Sequence, residues 1–468
     1  MDKNINDRID LSLESEELFR QYGRKKTVAL FTLGCKVNQY ETEAVSEIFE
    51  KEGYEVIDFQ EKADVYVINT CTVTNLSDRK SRQIIKRAKK TNEDAIVIVM
   101  GCYAQTAPQE VESIPGVNLV MGTKERGRII DYINEIKANS NDTINAVSNI
   151  MLSRDFEELN IESYKERTRA FLKIQEGCNQ FCSYCIIPYA RGPIRSRSPE
   201  GIIKEVKKLA TYGFKEVVLT GIHLASYGKD INSFQDKERN ITILDIIKMI
   251  HEIEGIERIR LGSLEPSTIT EEFVNEAGQL RKLCPHYHIS LQSGCDETLK
   301  RMNRRYNTDY FRWAVKHLRD NIKDVAITTD VMVGFPGETE EEFQKTYGFL
   351  KKINFSDMHV FKFSPRKGTH AATYKDQVTY EKKEERSNLV LSLAKENAFR
   401  FNKSFLGRTM PVLIEKETNK DSDLFEGHTA NYIKVLCEGK ENLRGKIAAV
   451  ILEKAEDDYI LGHITDKY

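Results

Sequence analysis

No apolar run in this chain approaches the roughly 18 residues that a membrane-spanning helix needs, so no membrane span is expected. Nor is there an excess of one charge. Seventy lysines and arginines stand against 72 aspartates and glutamates, a formal net charge of −2. That balance excludes a globally basic nucleic-acid binder and leaves any anionic partner to be met by local patches. A secretory n-region, h-region and cleavage pattern are missing. With nine cysteines, an odd number, in 468 residues, a disulfide framework is not expected, and a reducing, cytoplasmic compartment is. What is present is ordinary for a large globular chain: 40% hydrophobic and 30% charged residues, with a length that suits roughly two to four domains.

The densest chemistry lies in Glu176-Gly177-Cys178-Asn179-Gln180-Phe181-Cys182-Ser183-Tyr184-Cys185, a CxxxCxxC spacing just past a strand-like run. Three thiolates cannot fill the four iron corners of a cubane iron-sulfur cluster, so one iron is left open for a ligand. A closed zinc site needs four ligands, usually in two pairs, and no CxxC pair lies elsewhere to complete one. A zinc site with His223 as fourth ligand is the bland alternative. The spacing, with Tyr184 before the last cysteine, resembles the radical S-adenosylmethionine (SAM) superfamily. The resemblance implies that the open iron chelates the amino and carboxylate groups of SAM.

Three more cysteines follow apolar, branched runs of the kind that buried parallel strands show: Thr27 to Leu33, Asp64 to Asn69, and Ala95 to Met100. Cys35 and Cys102 come directly after Gly34 and Gly101, and Cys71 follows Asn69-Thr70. A helical face of Ala44, Val45, Ile48 and Phe49, stopped by Gly53, lies between the first two. The alternation reads as an open parallel α/β sheet. Right-handed crossovers gather the strand carboxyl ends on one edge, where such sheets bind ligands. Three thiols far apart in sequence are therefore expected at one place, against the commoner fate of a lone buried core cysteine.

The middle third repeats this logic. Strand-like runs Phe171 to Ile174, Glu216 to Leu219, Arg258 to Leu261, His288 to Leu291, Ala326 to Val333 and Met358 to Phe363 each lead into polar or glycine-rich loops. Helices start between them at Ser198-Pro199 and at a capping box from Thr339 to Glu342. Six such units predict a partial (β/α)6 barrel of the TIM type with its chemistry at the carboxyl-end mouth. The expected layout is a charged leader over 1–24, an open parallel α/β sheet domain over 25–138 and a polar linker over 139–168. The barrel over 169–403 closes with a long helix from Lys382 to Phe405. A small all-β barrel over 404–468 has strands Met410 to Glu415, Tyr432 to Cys437, Lys446 to Leu452 and Tyr459 to His463. Cys437 is expected in its core.

Thr32-Leu33-Gly34-Cys35-Lys36-Val37-Asn38-Gln39-Tyr40-Glu41-Thr42-Glu43, then Cys71 and Cys102, then Gln175 through Gly192 resemble the radical SAM methylthiotransferases over nearly the whole chain. The resemblance implies that Cys35, Cys71 and Cys102 hold an auxiliary 4Fe-4S cluster, that Cys178, Cys182 and Cys185 hold the SAM cluster, and that the last domain is a TRAM domain, OB-like, that binds substrate. Gly34-Cys35-Lys36-Val37-Asn38 looks like the MtaB-type branch, which methylthiolates carbon 2 of N6-threonylcarbamoyladenosine at position 37 of tRNA. The isopentenyladenosine branch usually has Gly-Cys-Gln-Met-Asn there, and the ribosomal-protein branch Gly-Cys-Pro-Lys-Asn.

Carbon 2 of an adenine ring has no acidic proton and no leaving group, so a radical is required. The family chemistry implied is reductive cleavage of one SAM, sulfur from the auxiliary cluster and a methyl group from a second SAM. An electron donor such as flavodoxin or ferredoxin and a sulfur source are implied as partners. Gly221, Glu265, Gln292 and Gly294 are the candidates for cradling SAM, from their positions at strand ends. Cys295 is expected as a free thiol beside the site.

A tRNA anticodon stem-loop should meet local positive charge. Arg79 to Lys90 holds seven basic residues and no acidic one, with Arg79, Arg82, Lys86 and Lys90 at helical spacing. Arg191, Arg195 and Arg197 follow the SAM cysteines, and Arg301, Arg304 and Arg305 follow the Gln292 loop. Arg191, Arg195, Arg304 and Arg305 are the candidates for substrate contacts. The rival readings are the same chemistry on N6-isopentenyladenosine or on a ribosomal-protein aspartate, and a non-catalytic iron-sulfur RNA-binding protein. The last would need fully ligated irons, whereas each thiolate triplet is one short.

Overall fold

The computed structural model describes residues 24–138, 142–159, 161, 168–232, 241–419, 422–439 and 443–465. The leader expected over 1–24 lies outside the described residues except for Arg24, as do 139–141, 160 and 162–167 of the linker. The chain divides into two compact units. One comprises Met1–Tyr164, Gly177–Asn179 and Cys185–Pro193; the other comprises Lys165–Glu176, Gln180–Tyr184 and Ile194–Tyr468. Among the described residues no helix is long and apolar enough to cross a membrane.

In the first unit, strands β1 (Thr27–Thr32), β2 (Glu55–Ile57), β3 (Val65–Thr70), β4 (Ile96–Gly101), β5 (Leu119–Met121) and β6 (Ile144–Ala146) form one sheet in the order β2-β1-β3-β4-β5-β6. Every pairing is parallel. Because successive strand residues point to opposite faces, Tyr66, Ile68, Val97 and Val99 pack with Ile85 and Ala88 on one side. Val65, Val67, Ile98 and Met100 pack with Val45, Phe49, Ile129 and Ile133 on the other. Each fully buried Val, Ile or Phe contributes about 1.5–3 kcal/mol, so the doubly covered sheet is a stiff platform. Helix Lys36–Lys51 starts with Cys35 as its N-cap, and helix Asn75–Thr91 is capped by the Thr74 side chain.

In the second unit β7 (Arg169–Glu176), β8 (Arg195–Ser196), β9 (Glu216–Gly221) and β10 (Arg258–Leu261) pair in the order β10-β9-β7-β8. β11 (His286–His288), β12 (Ala326–Val333) and β13 (Asp357–Lys362) form a second sheet. Parallel bridges Ile259 to Leu283 and Leu264 to Ile289 join the two, which gives the expected arc of six parallel strands, with β8 added antiparallel at the β7 edge. One strand is displaced from the expectation. β11 covers His286–His288 rather than His288 to Leu291, because Gln292 turns the chain with a φ of 65° and only isolated bridges continue past His288. The Ser198 cap and the Thr339–Glu342 capping box are present.

Helix Tyr380–Lys403 leads into a closed barrel of β14 (Thr409–Asn419), β15 (Ser422–Thr429), β16 (Lys434–Glu438), β17 (Ile447–Ala455) and β18 (Ile460–Ile464). Four strands were expected, and five are present among the described residues. β15, Ser-Asp-Leu-Phe-Glu-Gly-His-Thr, carries little apolar signal, and its Gly427 lies where a Cβ would strike the Leu413 carbonyl of β14. Cys437 lies in the barrel core with Val412, Val435 and Val450. This barrel meets the amino ends of the second unit's arc. Arg258 donates to the carbonyls of His428 and Pro411 at 2.9 and 2.8 Å. Arg260 donates to Glu216 at 2.6 Å and to the Ala430 carbonyl at 2.9 Å. Tyr432 stacks on His286 with ring centroids 4.8 Å apart. The opposite, carboxyl-end mouth carries the candidate chemistry.

Candidate functional site

Cys35, Cys71 and Cys102 sit just past the ends of β1, β3 and β4, which are neighbours in the sheet. Strands pair roughly 4.8 Å apart, so the thiols converge, and the ionisation of Cys102 is opposed by both Cys71 and Cys35. Two glycines make the approach. Gly34 has φ +108°, and a Cβ there would lie 2.9 Å from Cys71 Cβ. Gly101 has φ +98° and ψ −159°, and a Cβ there would strike Asn69 Oδ1 and come within 2.6 Å of the Thr70 carbonyl oxygen. Burial pushes the Cys102 thiol up to about 12, with Arg191 opposing. An anionic sulfur at this position therefore needs a cation or a metal to stabilise it.

Arg191 supplies the cation. Its Nε donates to Cys102 Sγ at 3.2 Å, Nη1 to Glu41 Oε1 at 2.5 Å and Nη2 to Asn38 Oδ1 at 2.5 Å. Arg126 reaches the same Glu41 at 2.8 Å and also engages Glu157. Glu41 and Arg126 carry no obvious signal in the sequence, because they sit on the buried side of elements whose apolar residues already explained the packing.

The CxxxCxxC segment follows β7. Gly177 has φ +72°, and a Cβ there would strike the Pro193 carbonyl and lie 2.6 Å from that of Gly192. Cys178 N–H donates to the same Gly192 oxygen at 3.0 Å. Cys182 receives Arg304 Nη1 at 3.2 Å on its sulfur. The Arg304 guanidinium is also bound to Glu265 at 2.6 Å and to Tyr306 Oη at 3.1 Å. Cys185 is half-buried.

The expected SAM-cradling residues separate into three environments. Glu265 joins Arg304 and lies 4.0 Å from His223 Nε2. Burial holds the His223 imidazole below its ordinary range, against the pull of Glu265. Gln180 reaches the same His223 at 3.4 Å, so His223 stands among the groups of the mouth. Gln292 carries left-handed backbone, pinned by its N–H on the Asp330 carbonyl and its own carbonyl on Met332 N–H, both 2.8 Å. Gly221 and Gly294 are close-packing positions, where a Cβ would meet Gln175 Cβ at 2.9 Å and Phe349 Cβ at 2.7 Å. Cys295 is buried, with its thiol on Glu297 at 2.9 Å.

The basic runs divide sharply. Arg79, Lys80, Lys86, Arg87 and Lys90 are exposed along helix Asn75–Thr91, while Arg82 donates to Tyr103 Oη at 3.0 Å. The other two runs are largely internal. Arg191 and Arg195 are buried, Arg197 is bound to Glu205, Arg301 to Glu342 and Arg304 to Glu265. Arg305 is exposed. A cluster that sequence pattern did not reveal is His288, Asp330 and His359, on three adjacent strands. Asp330 accepts from both imidazoles at 3.2 Å.

The CxxxCxxC segment follows the first strand of a six-stranded parallel arc. The pattern of the radical SAM superfamily matches residues 172–350, and that of an uncharacterized protein family, UPF0004, matches residues 27–122. A radical SAM methyltransferase, TsrM, from Kitasatospora setae, solved with cobalamin and a [4Fe-4S] cluster, shares the fold. Its TM-score is 0.54 at 15% identity, over 75% of this chain and 77% of that one. Threonylcarbamoyladenosine tRNA methylthiotransferase MtaB of Bacillus subtilis is 46% identical over 92% of this chain and 95% of its own length. The Aquifex aeolicus protein of the same name is 39% identical over 91% of this chain and its full length. A tRNA-2-methylthio-N(6)-dimethylallyladenosine synthase of Clostridium botulinum is 35% identical over 92% of this chain and 95% of its own. The chain belongs to the radical SAM methylthiotransferases, in their MtaB branch.

Proposed function

We propose that this protein installs a methylthio group on carbon 2 of N6-threonylcarbamoyladenosine at position 37 of tRNA, beside the anticodon. The observation that carries the reading is 46% identity, along nearly the whole of both chains, with a relative named for that nucleoside. The protein uses SAM and 4Fe-4S clusters. We assign the auxiliary cluster to Cys35, Cys71 and Cys102 in a domain over 25–138. The SAM cluster goes to Cys178, Cys182 and Cys185 in a barrel domain over 169–403, with a TRAM domain over 404–468 that contacts substrate.

The donor sets fit these groups. The Cys35, Cys71 and Cys102 thiols come near one another past neighbouring strand ends, with Gly34 and Gly101 in close approach, and a guanidinium faces a sulfur in each triplet, which suits anionic ligands. When bound, the two clusters and SAM supply an electron, an adenosyl radical and sulfur. The chain's own residues do the positioning. Glu265 and Gln292 are proposed to orient SAM, Glu265 held by Arg304 and Gln292 by its two strand hydrogen bonds. The tight packing of Gly221 and Gly294 sets the course of their loops around the same cofactor.

Arg305 is proposed to meet the substrate anion, because it is the exposed member of the proposed set. Arg191 and Arg304 serve the substrate through the groups they hold, and Arg195 remains a proposed contact. The exposed face of helix Asn75–Thr91 is proposed to follow tRNA phosphates. An electron donor such as flavodoxin or ferredoxin, a sulfur source and a reducing cytoplasmic setting complete the reading. Purified, reconstituted protein should turn over a threonylcarbamoylated anticodon stem-loop and leave an isopentenylated one nearly unmodified. Equal methylthiolation of both would reject the nucleoside assignment.

A further inference from the structure

Arg191 is placed unlike a substrate-binding arginine. Its side chain and that of Glu41 are 0% exposed, and that of Arg126 is 1% exposed. One edge of its guanidinium is locked by Glu41, through Nη1 at 2.5 Å and Nη2 at 3.1 Å, and by Asn38 Oδ1 at 2.5 Å. Its Nε–H is aimed at Cys102 Sγ, 3.2 Å away. Asn38 belongs to the same arrangement, since Cys35 Sγ lies 3.6 Å from its Oδ1 and its amide donates to the Leu33 and Thr70 carbonyls at 2.8 and 3.1 Å. A neutral thiol is a weak acceptor. A rigid, desolvated guanidinium aimed at one is better matched to the thiolate form that ligates a metal. Arg191 also lies in Cys185–Pro193, the segment that begins with a cysteine of the other triplet.

We infer that Arg191 is a positioning residue for the auxiliary cluster: it donates a hydrogen bond to the Cys102 sulfur and, with its buried charge, raises that cluster's reduction potential. The inference rests on the assignment of a cluster to Cys35, Cys71 and Cys102. A donor on a ligating sulfur draws electron density from the iron, and a nearby cation favours the more negative, reduced cluster. Glu41 does two opposed things. It fixes the fork of Arg191 and it places a negative charge next to the site.

The test uses the full-length chain in a C178A/C182A/C185A background, so that only the auxiliary cluster reports, with no tRNA present. The measurements are iron and sulfide content, EPR-monitored redox titration and resonance Raman of the Fe–S stretches. Arg191→Gln should retain iron, lower the potential and shift the Fe–S(Cys) frequencies. Arg191→Lys, which keeps the charge and loses the fork, should fall between Gln and Arg. Glu41→Gln should move the potential in the opposite direction from Arg191→Gln. A packing role alone gives no such opposition of sign. An unchanged potential and unchanged frequencies in loaded Arg191→Gln would overturn the inference. Shifts of the same sign in the two variants, or loss of auxiliary iron even from Arg191→Lys, would do so too. The nucleoside assignment can fail without touching this result, because no nucleoside enters the measurement.

Discussion

Gly101→Ala isolates the geometry that seats the auxiliary triplet. Gly101 holds φ +98° and ψ −159°, a region essentially reserved to glycine, where another residue costs about 1–3 kcal/mol. The added Cβ would also lie 2.6 Å from the Thr70 carbonyl oxygen and 2.9 Å from the Thr70 nitrogen. Those are backbone atoms at the end of β3, a strand paired on both sides, which cannot swing aside as a side chain does. Relief must come from β4 and from Cys102, the next residue. Strain of about 1–3 kcal/mol corresponds to roughly a 5- to 150-fold weaker seat, and the backbone overlap adds to it. The variant should therefore lose about half of its cluster iron while keeping reductive SAM cleavage, because the CxxxCxxC triplet is untouched. Gly213→Ala is the control, with a φ of +87° and nothing within 4 Å of its added Cβ. It carries backbone strain alone and should keep all its iron. Iron and sulfide analysis with Mössbauer spectroscopy reads the outcome. Full iron and normal methylthio product in Gly101→Ala would refute the claim that close approach at β4 builds the site.

Three further outcomes follow from the same structure. Replacing Cys35, Cys71 and Cys102 by Ala should leave 5'-deoxyadenosine formation and abolish methylthio product, measured by mass spectrometry of both products. Neutralising Arg79, Lys86 and Lys90, all exposed, should weaken tRNA binding and flatten its salt dependence by about one unit of slope for each phosphate no longer engaged. An unchanged slope would remove this helix from the interface. Asp330 is held below the usual carboxylate range: burial acts to raise it, and the hydrogen bonds from His288 and His359 outweigh that. A depressed folded value means stability present above the unfolded value of about 3.9 and lost as pH falls through the folded one. Asp330→Asn should thus be less stable than wild type in urea at neutral pH, with the gap closing in strong acid. A gap that persists at low pH would show that charge is not its origin.

The placement of Cys35, Cys71 and Cys102 past neighbouring strand ends was legible because sheet topology is nearly forced: parallel strands with right-handed crossovers bring every strand end to one edge. The barrel was legible for the same reason, down to the Thr339–Glu342 capping box. β15 was not, since a half-polar strand with one glycine looks like a loop until barrel closure gives it neighbours on both sides. Two of the three basic runs are largely internal, which their sequence does not announce. Sequence shows that Arg191, Arg197, Arg301 and Arg304 are cationic, but not that Glu41, Glu205, Glu342 and Glu265 neutralise them. The Arg191–Glu41 pair spans 150 positions, and no local pattern announces a contact of that reach.

The nucleosides of tRNA test the central claim most directly. In tRNA from cells lacking this protein, mass spectrometry should find N6-threonylcarbamoyladenosine without its 2-methylthio derivative. The derivative should return when the wild-type gene is restored and stay absent when Cys35, Cys71 and Cys102 are all Ala. Undiminished 2-methylthio-N6-threonylcarbamoyladenosine in the deletion, or loss of the 2-methylthio mark from isopentenyladenosine instead, would contradict the account.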